Sequence, residues 1–265
     1  MDKLLVICGP TATGKTALAA KFARKYNGEL ISADSRQVYR SMDLTTGKDR
    51  PDVPIWLYDI VNPDEEFSVS HWVSLAREAM SEIQKRNKLP IIVGGTGLYI
   101  HALLHPLETI HIPPDPVLRR KLKDKTVEEL QDMINRDSMN ESDWNNPRRL
   151  IRKIELAKAN VKSGETRRSF DALIIGLTAP LQILYERIDA RLEERKKSGL
   201  KKEIELLTKQ YSTDLPSMSA IGLNEHAYAR RQLTWFKKQK DIKWFDITQP
   251  GYVGAVASVV RAWYN

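Results

Sequence analysis

Residues near the start of the chain form a phosphate-binding motif. The motif has the pattern G-x-x-x-x-G-K-T and consists of Gly9-Pro10-Thr11-Ala12-Thr13-Gly14-Lys15-Thr16. Glycines let backbone N–H groups turn inward around a phosphate, and the N-terminus of the following helix adds the positive end of its dipole. The lysine reaches phosphate oxygens, and the threonine hydroxyl can bind Mg²⁺. The pattern therefore predicts a polyphosphate site with chemical roles for Lys15 and Thr16.

A polar segment follows the second apolar run of the chain. It consists of Ser32-Ala33-Asp34-Ser35-Arg36-Gln37. Because the carboxyl ends of parallel strands share one edge of a sheet, Asp34 is expected beside the phosphate motif. A carboxylate there can accept a proton or position Mg²⁺ through water, although an aspartate before a turn can also cap a helix. Arg36 suits a phosphate, and Gln37 suits the edge of an adenine.

A glycine-rich segment, Gly94-Gly95-Thr96-Gly97, follows the fourth apolar run. Its glycines could let a ligand approach the backbone closely, or could equally form a tight turn from a strand into a helix. A typical kinase or hydrolase with this phosphate motif carries an aspartate at the end of a core strand to hold Mg²⁺. That run ends in glycine here, so Asp34 or Asp59, which also end apolar runs, would have to replace the missing acid.

Apolar runs and helical patterns alternate along the chain. The runs predict strands at residues 3–8, 29–32, 55–60, 90–94, 172–176 and 243–247. Helical patterns cover residues 16–26, 69–86 and 98–104, and later residues 180–198, 201–210, 226–240 and 254–264. Strands that alternate with helices predict an α/β fold with a doubly wound parallel sheet.

Residues 113–169 break this alternation because they contain no convincing strand pattern. Pro113-Pro114-Asp115-Pro116 is typical of a rigid linker. Charged helical patterns follow at residues 116–123, 126–136 and 148–161, and Thr126 with Glu129 forms a capping box. We therefore expect a helical insertion at 113–169 between two parts of one α/β core, residues 1–112 and 170–265.

The chain is basic, with 42 Lys and Arg against 34 Asp and Glu, a net charge of +8 and a pI of about 9.4. Clusters such as Arg148-Arg149, Arg195-Lys196-Lys197 and Arg230-Arg231 lie in its second half, away from the phosphate motif. This separation favours a large polyanion such as a nucleic acid as a second ligand, although a solvated basic surface would look similar.

Length and apolar content set further bounds. A chain of 265 residues suits one large domain, or a core with an insertion. No apolar run approaches the roughly 20 residues of a membrane helix, and the first strand begins too early to leave room for a signal peptide. The single cysteine, Cys8, is expected in the core. These features predict a cytoplasmic protein that does not bind membranes.

The three motifs, in this order, resemble the tRNA dimethylallyltransferase family. Later segments are similar as well, namely 146–155, 184–191, 220–225 and 229–236, so that the resemblance spans residues 4–246. The family transfers the dimethylallyl group of dimethylallyl diphosphate to N6 of an adenosine. That adenosine lies just 3′ of the anticodon, at position 37 of tRNAs that read codons beginning with U.

The resemblance implies a P-loop NTPase-like parallel sheet flanked by helices, with the insertion contacting the anticodon stem-loop. It implies Mg²⁺ as the cofactor, held by Thr16 and through water by Asp34. Asp34 would also accept the N6 proton, with Lys15 and Thr16 as the other catalytic residues. We further expect a monomer.

The resemblance also assigns the two substrates to groups of residues. The diphosphate would bind the motif of residues 9–16 together with Arg230 and Arg231. The adenine and the rest of the tRNA would contact Ser35, Arg36, Gln37, Gly95, Thr96, Gly97, Arg148, Arg149 and Arg152.

The chain departs from the family pattern in its C-terminal part. Family members are usually longer and carry a helical segment that is missing after Glu225. Glu225-His226 stands where the family usually has Thr-Arg, so an arginine is absent. Three other functions remain open at this point: an adenylate isopentenyltransferase, which the basic insertion disfavours, a small-molecule kinase, and a tRNA-binding protein without catalysis.

Overall fold

The computed structural model describes residues 2–105, 112, 114–136, 139–159 and 170–265. The chain divides into two compact units, one formed by residues 1–105 with 168–265 and the other by residues 106–167. The first unit contains the sheet and the phosphate motif. The described part of the second unit is helical and overlaps the region expected as an insertion, 113–169. No helix in the described ranges combines the length and apolar character needed to cross a membrane.

The sheet of the first unit has six described strands, all parallel, in the order β3-β2-β4-β1-β5-β6. The strands are β1 (Lys3–Cys8), β2 (Gly28–Ser32), β3 (Ile55–Trp56), β4 (Leu89–Gly94), β5 (Asp171–Thr178) and β6 (Lys243–Asp246). The predicted α/β fold with a parallel sheet flanked by helices is therefore confirmed.

Helices connect and cover the strands. They are α1 (Lys15–Lys25), α2 (Asp43–Thr46), α3 (Val69–Lys85), α4 (Gly97–Leu104), α5 (Pro116–Leu122), α6 (Val127–Gln131), α7 (Glu141–Trp144), α8 (Pro147–Lys158), α9 (Leu181–Lys197), α10 (Leu200–Gln210), α11 (Glu225–Phe236) and α12 (Tyr252–Tyr264). Helices α5 to α8 belong to the second unit, and a short 3₁₀ helix spans Pro216–Ala220.

The central strands are apolar because they are buried on both faces. Residues 4–8 of β1 are completely buried. On one face, Leu5 and Ile7 pack in a cluster with Phe22 of α1 and Val256 of α12. Burial of these side chains anchors α1, whose first two residues are Lys15 and Thr16 of the phosphate motif, against the sheet.

Helix α3 contacts the carboxyl end of β2 through Trp72. The indole N–H of Trp72 donates a hydrogen bond of 2.8 Å to the carbonyl oxygen of Ser32. The fully buried Trp72 ring also stacks on Tyr99 of α4, with centroids 4.9 Å apart. Ser32 is the last residue of β2, so these contacts hold the backbone just before Asp34.

Some predicted boundaries are wrong. The strand expected at 55–60 ends at Trp56, because Leu57 and Asp59 adopt left-handed conformations with φ of 68° and 55° that break an extended strand. The helix expected at 126–136 ends at Gln131, and that expected at 226–240 ends at Phe236. Helices α2 and α7 and the 3₁₀ helix were not predicted, because four or five residues are too few for a visible periodicity.

The second unit has a small core of its own. Leu118 and Leu122 of α5 pack with Leu130 of α6 and with Leu150 and Ile154 of α8. The capping box at Thr126 and Glu129 is present as predicted. Pro113 and residues 160–161, at the ends of the predicted linker and of the predicted helix 148–161, lie outside the described residues.

Candidate active site

About half of the predicted site residues of the first unit line one cavity at the carboxyl edge of the sheet. The cavity has a volume of about 910 Å³. Its walls come from the phosphate motif, from the loops after β2 and β4, from residues 45–51, and from helices α9 and α11. Asp34 lines the same cavity as Lys15 and Thr16, as the sheet topology predicts.

The phosphate loop has the conformation that its glycines were expected to allow. Gly9 has a φ of 134°, and a Cβ at this position would lie 2.2 Å from the carbonyl oxygen of Leu177, so only glycine fits. Thr13 is buried, and its hydroxyl donates to the carbonyl oxygen of Pro10 at 2.9 Å. Gly9, Pro10 and Thr13 thus shape the loop, whereas the residues that face the cavity are Thr11, Ala12, Gly14, Lys15 and Thr16.

Lys15 supplies the cation of the loop. Its ammonium donates a hydrogen bond of 2.7 Å to the carbonyl oxygen of Pro10. Burial lowers the pKa of Lys15 to about 8, and the attraction of Asp34 opposes that shift. A bound anion would replace lost hydration around this ammonium and would favour its charged form.

Asp34 lies in a turn rather than at a helix N-cap. Its Oδ1 accepts a hydrogen bond of 2.9 Å from the backbone N–H of Arg36, two residues further on. This local bond orients the carboxylate at the wall of the cavity. The alternative role considered for Asp34, capping of a helix, is therefore wrong.

Ser35 and Thr96 support this turn instead of facing the cavity. The hydroxyl oxygen of Thr96 accepts the backbone N–H of Ser35 at 3.0 Å and lies 3.3 Å from the Ser35 hydroxyl. Neither residue is part of the cavity wall. Ser35 and Thr96 thus connect the loops that follow β2 and β4. They lie behind the cavity wall and not at the position expected for a contact with adenine.

Arg36 and Gln37 do reach the cavity. The amide nitrogen of Gln37 donates to the carbonyl oxygen of Gly47 at 3.2 Å, and its amide oxygen lies 3.3 Å from the Ser32 hydroxyl. The guanidinium of Arg36 lies over the ring of Tyr228, 5.0 Å from its centroid. These contacts hold a cation and an amide beside Asp34.

The glycines after β4 allow α11 to pack closely. A Cβ on Gly95 would lie 2.1 Å from Nε2 of Gln232, and a Cβ on Gly97 would lie 2.1 Å from the ring of Trp235. Gly95 still borders the cavity, but Gly97 does not. Gly97 makes room for the Trp235 ring, which is neither of the two explanations left open for this segment, and this corrects its assignment to the tRNA or adenine.

Arg230 and Arg231 lie elsewhere. Both are exposed and line a separate, shallow groove on α11, whereas Tyr228 and Gln232 of the same helix line the phosphate cavity. Residues 228 and 232 share a helix face, and Arg230 is about half a turn away from it. Neither arginine lines the phosphate cavity, although the Arg231 guanidinium lies 5.8 Å from the ring centroid of Tyr228, and their contact with the diphosphate stays a prediction.

Sequence analysis missed a row of arginines on α9 that does line the cavity. Arg187, Arg191 and Arg195 recur every four residues, which places them on one face of the helix. Arg191 donates to the carbonyl oxygen of Gly47 at 2.7 Å and to Asp49 at 2.6 Å. The four-residue spacing was a visible sequence signal for this cationic wall.

Glu225 and His226, which stand where the family usually has Thr-Arg, have different surroundings. Glu225 forms an ion pair with Arg195 at the cavity wall. His226 is not part of that wall and lies 2.8 Å from Asp189, with its ring stacked on Tyr185. Arg195 and Glu225 therefore occupy the place where α9 and α11 meet at the cavity.

Asp59, the other acid considered for Mg²⁺, is engaged in ion pairs. Lys48 lies 2.5 Å and Arg50 lies 2.8 Å from its carboxylate, and Asp59 does not line the cavity. Of the residues predicted to hold Mg²⁺, Asp34 and Thr16 do line the cavity. Among the described residues no group of three or more His, Cys, Asp or Glu could hold a metal. The carboxylate and hydroxyl suit Mg²⁺, which often takes few protein ligands and binds substrate phosphates and water as well.

The basic residues predicted to contact the anticodon arm belong to the second unit. Arg148 and Arg149 are exposed near the start of α8, where Arg149 pairs with Asp143. Arg152 bonds to Glu155 at 3.1 Å and to the carbonyl oxygen of Ile112 at 2.8 Å. Their contact with tRNA stays a prediction.

Comparisons with known proteins identify families, relatives and solved structures that are similar to this chain. The family model described as IPP transferase matches residues 37–227, and a model described as isopentenyl transferase matches residues 2–53. A tRNA dimethylallyltransferase of Geobacillus kaustophilus is 37% identical, covering 96% of this chain and 93% of the relative. One from a Roseiflexus species is also 37% identical and covers 100% of both chains. The crystal structure of a full-length tRNA isopentenylpyrophosphate transferase from Bacillus halodurans is 32% identical, with a TM-score of 0.75 over 99% of this chain and 97% of that one.

Proposed function

The chain belongs to the IPP transferase family of enzymes that prenylate tRNA, and from this premise we propose that dimethylallyl diphosphate is its donor. The acceptor is N6 of the adenosine just 3′ of the anticodon, in tRNAs that read codons beginning with U. The products are N6-(dimethylallyl)adenosine in tRNA and free diphosphate. The observation that carries the proposal is the presence of a phosphate loop and the carboxylate of Asp34 in one cavity.

The phosphate loop holds the leaving group. The amides of the loop and the ammonium of Lys15 bind the diphosphate, and the dimethylallyl carbon points away from them into the cavity. Negative charge grows on the diphosphate as the allylic C–O bond breaks. Arg187 and Arg191, on the α9 wall of the same cavity, supply further positive charge for the departing group.

Asp34 acts on the acceptor. The adenine has to leave its stack to enter the cavity, as in other enzymes that modify a base. N6 attacks the allylic carbon, the new N–C bond forms as the C–O bond breaks, and the N6 proton passes to the Asp34 carboxylate. Arg36 and Gln37, next to Asp34 in the chain, contact the adenine and its neighbouring phosphate.

Mg²⁺ fits this arrangement as a cofactor. The Thr16 hydroxyl would hold it, with Asp34 acting through a water molecule. When bound, the ion neutralises charge on the diphosphate oxygens. The role of the protein is to keep Thr16 at the start of α1 and Asp34 in its hydrogen-bonded turn, on the walls of one cavity.

The rest of the tRNA is bound by the basic surface. Arg148, Arg149 and Arg152 on α8 would contact the phosphates of the anticodon stem-loop, where electrostatic attraction is independent of sequence. A substrate of this size is consistent with the net charge of +8. We place the protein in the cytoplasm, where tRNA is modified, and propose that it acts as a monomer.

Transfer of label from dimethylallyl diphosphate tests the proposal. The acceptors are unmodified tRNA with adenosine after the anticodon, the same tRNA with guanosine there, AMP and ATP, each with Mg²⁺. Label in the first tRNA alone is expected. Label in AMP or ATP would instead indicate an adenylate isopentenyltransferase, and tRNA binding without any label would indicate a binding protein.

A further inference from the structure

An unusual turn after β3 carries an aromatic side chain to the wall of the cavity. Leu57 and Asp59, with φ of 68° and 55°, flank Tyr58. Tyr58 lines the cavity together with Lys15 and Asp34. An aspartate adopts the left-handed conformation fairly often, but a large apolar residue such as leucine does so rarely. Residues held in such conformations cluster at functional sites, so this turn calls attention to the side chain that it presents.

Backbone contacts on both sides of Tyr58 hold this turn in place. Before it, β3 pairs with β2. After it, the carbonyl oxygen of Asp59 accepts a hydrogen bond of 2.9 Å from Nε of Arg40, and the N–H of Ile60 donates to the carbonyl oxygen of Val38 at 2.8 Å. Val38 and Arg40 lie a few residues after the turn that carries the proposed base. Tyr58 is therefore fixed to the same part of the backbone as that base.

Tyr58 interacts with groups that serve both partners of the proposed reaction. Its side chain is within electrostatic reach of Asp34, the proposed base, and of Arg191, on the wall proposed to bind the departing diphosphate. Burial raises the pKa of Tyr58, and the charges of Asp49 and Asp34 add to this shift, so the side chain is a neutral phenol. In the described ranges no hydrogen bond engages its hydroxyl. The transferred carbon must pass from the diphosphate to the amine that Asp34 orients, and Tyr58 borders that path.

Tyr228 also lines the cavity, but cations of the protein already engage its ring. The guanidiniums of Arg36 and Arg231 lie 5.0 Å and 5.8 Å from the ring centroid. Near the Tyr58 ring lies the guanidinium of Arg50, 5.8 Å from the centroid, and ion pairs with two aspartates balance its charge. Of the two rings, that of Tyr58 is therefore better suited to interact with positive charge on a substrate.

We propose that the face of the Tyr58 ring packs against the transferred dimethylallyl group and stabilises the positive charge that develops on it. As the allylic C–O bond breaks, its electron pair passes to the diphosphate oxygen. The allylic carbons carry part of the positive charge until the N6 lone pair completes the new bond. The π face of an aromatic ring attracts a cation, most strongly where water is excluded. This inference rests on the proposed function, and it makes Tyr58 a catalytic residue.

Single-turnover label transfer to saturating tRNA tests the ring while its shape is kept. Tyr58→Phe retains the π face and should react within about threefold of the wild type. Phenylalanine that carries one, two or three fluorines, introduced at residue 58, has a progressively less negative π face and nearly the same size. The logarithm of the rate should fall with each added fluorine, reaching a loss of about tenfold for three. The same series at Tyr185, which is not part of the cavity wall, is the matched control and should leave the rate unchanged.

A binding measurement tests the same ring without tRNA or turnover. The amine that corresponds to the dimethylallyl group is an ammonium ion at neutral pH, and the corresponding alcohol is neutral and of similar shape. Calorimetry in the presence of inorganic diphosphate and Mg²⁺ gives the affinity for each. The carboxylates of the cavity attract the ammonium equally in every variant, so only the contribution of the ring should decline through the fluorine series. Affinity for the alcohol should stay constant.

Transfer rates that do not depend on fluorination at residue 58 would overturn the inference. A loss in Tyr58→Phe as large as in Tyr58→Leu, which removes the ring, would also contradict it, because the hydroxyl would then be the group that acts. If the wild type transfers no label, the proposed function fails. The dependence of ammonium affinity on fluorination then decides the inference separately.

Discussion

Strand β2 carries a carboxylate near each end, and the two carboxylates have different surroundings. Glu29, at the start of the strand, is buried and accepts hydrogen bonds from Arg86 at 2.5 Å, Lys88 at 2.7 Å and Trp56 at 2.8 Å. Asp34, just past the end of the strand, accepts a backbone N–H of its own turn and borders the large cavity. One acid is surrounded by donors from the protein, whereas the other faces space for a ligand.

The sheet itself explains the difference. At the amino end of β2, the C-terminal end of α3 and the start of β4 close over Glu29, and their cations neutralise it. At the carboxyl end, the loops after parallel strands diverge and leave a cleft. A carboxylate in the first place stabilises the fold, and one in the second place is free for chemistry.

Loss of the cation in the phosphate loop should have a large effect at the carboxyl edge. In Lys15→Met, label transfer is expected to fall about a thousandfold, because charge on the departing diphosphate is no longer neutralised. The melting temperature should not fall, since a buried charge has been removed. Lys21→Met, on the exposed side of α1, is the matched control. A loss of less than tenfold would show that Lys15 is not essential to the reaction.

Loss of the acid at the amino edge should affect stability instead. Glu29→Gln leaves Arg86 and Lys88 without their anion and should lower the free energy of unfolding by about 3 kcal/mol. Urea unfolding measures this value, with Glu78→Gln on the exposed face of α3 as control. Transfer activity should be retained wherever the variant is folded. A Glu29→Gln variant that is stable but inactive would contradict the claim that Glu29 serves only the stability of the fold.

Low pH should lower the free energy of unfolding through protonation of Glu29. The hydrogen bond from Arg86 is the main cause that lowers the pKa of Glu29 to about 2, below its ordinary value of 4.5. The unfolded state therefore binds the proton first, and the stability that Glu29 contributes above pH 4.5 is lost as pH falls toward 2. Unfolding curves across this range should decline more steeply for the wild type than for Glu29→Gln. Equal slopes would contradict the assignment.

At the carboxyl edge, pH should have a smaller effect, on the affinity for diphosphate. Because the pKa of Lys15 is about 8 in the free protein, the ammonium that binds diphosphate is lost as pH rises above that value. Diphosphate affinity should fall about tenfold between pH 7.5 and 9. Lys15→Met corrects for titration of diphosphate itself and should lack this decline. A parallel decline in the variant would assign the effect to other groups.

Much of the fold was predictable because its signals are local. Residues 3–8 and 89–94 are apolar runs of strand length, and the phosphate motif has a fixed pattern that leads into α1. The early end of β3 was not predictable, since the left-handed conformations at Leu57 and Asp59 leave no signal in a continuous apolar run. Helix α2 was missed because it is short and is held by hydrogen bonds from its backbone to Glu203.

The site was predictable where residues adjoin the motif in the sequence, and less so where distant helices contribute. Lys15 follows β1 and Asp34 follows β2, and only β4 separates these two strands in the sheet. Both residues therefore lie at the carboxyl edge of the sheet, where topology alone brings them close. Gln232 depends on the rotation of α11, which decides that it faces the cavity while Arg231 does not. The basic residues 230–231 were assigned to the diphosphate because of their charge, and the neutral amide of Gln232 beside them was overlooked.

Asp34 allows the most direct test of the claim that the carboxyl end of β2 carries the catalytic base. Its replacement by Asn keeps size and hydrogen bonding to the Arg36 N–H but removes the base. Single-turnover transfer to saturating tRNA should fall by about 10²–10⁴-fold, with unchanged melting temperature and tRNA affinity. A rate within tenfold of the wild type, or a loss of stability as large as that of Glu29→Gln, would contradict the claim that the two ends of β2 serve chemistry and structure separately.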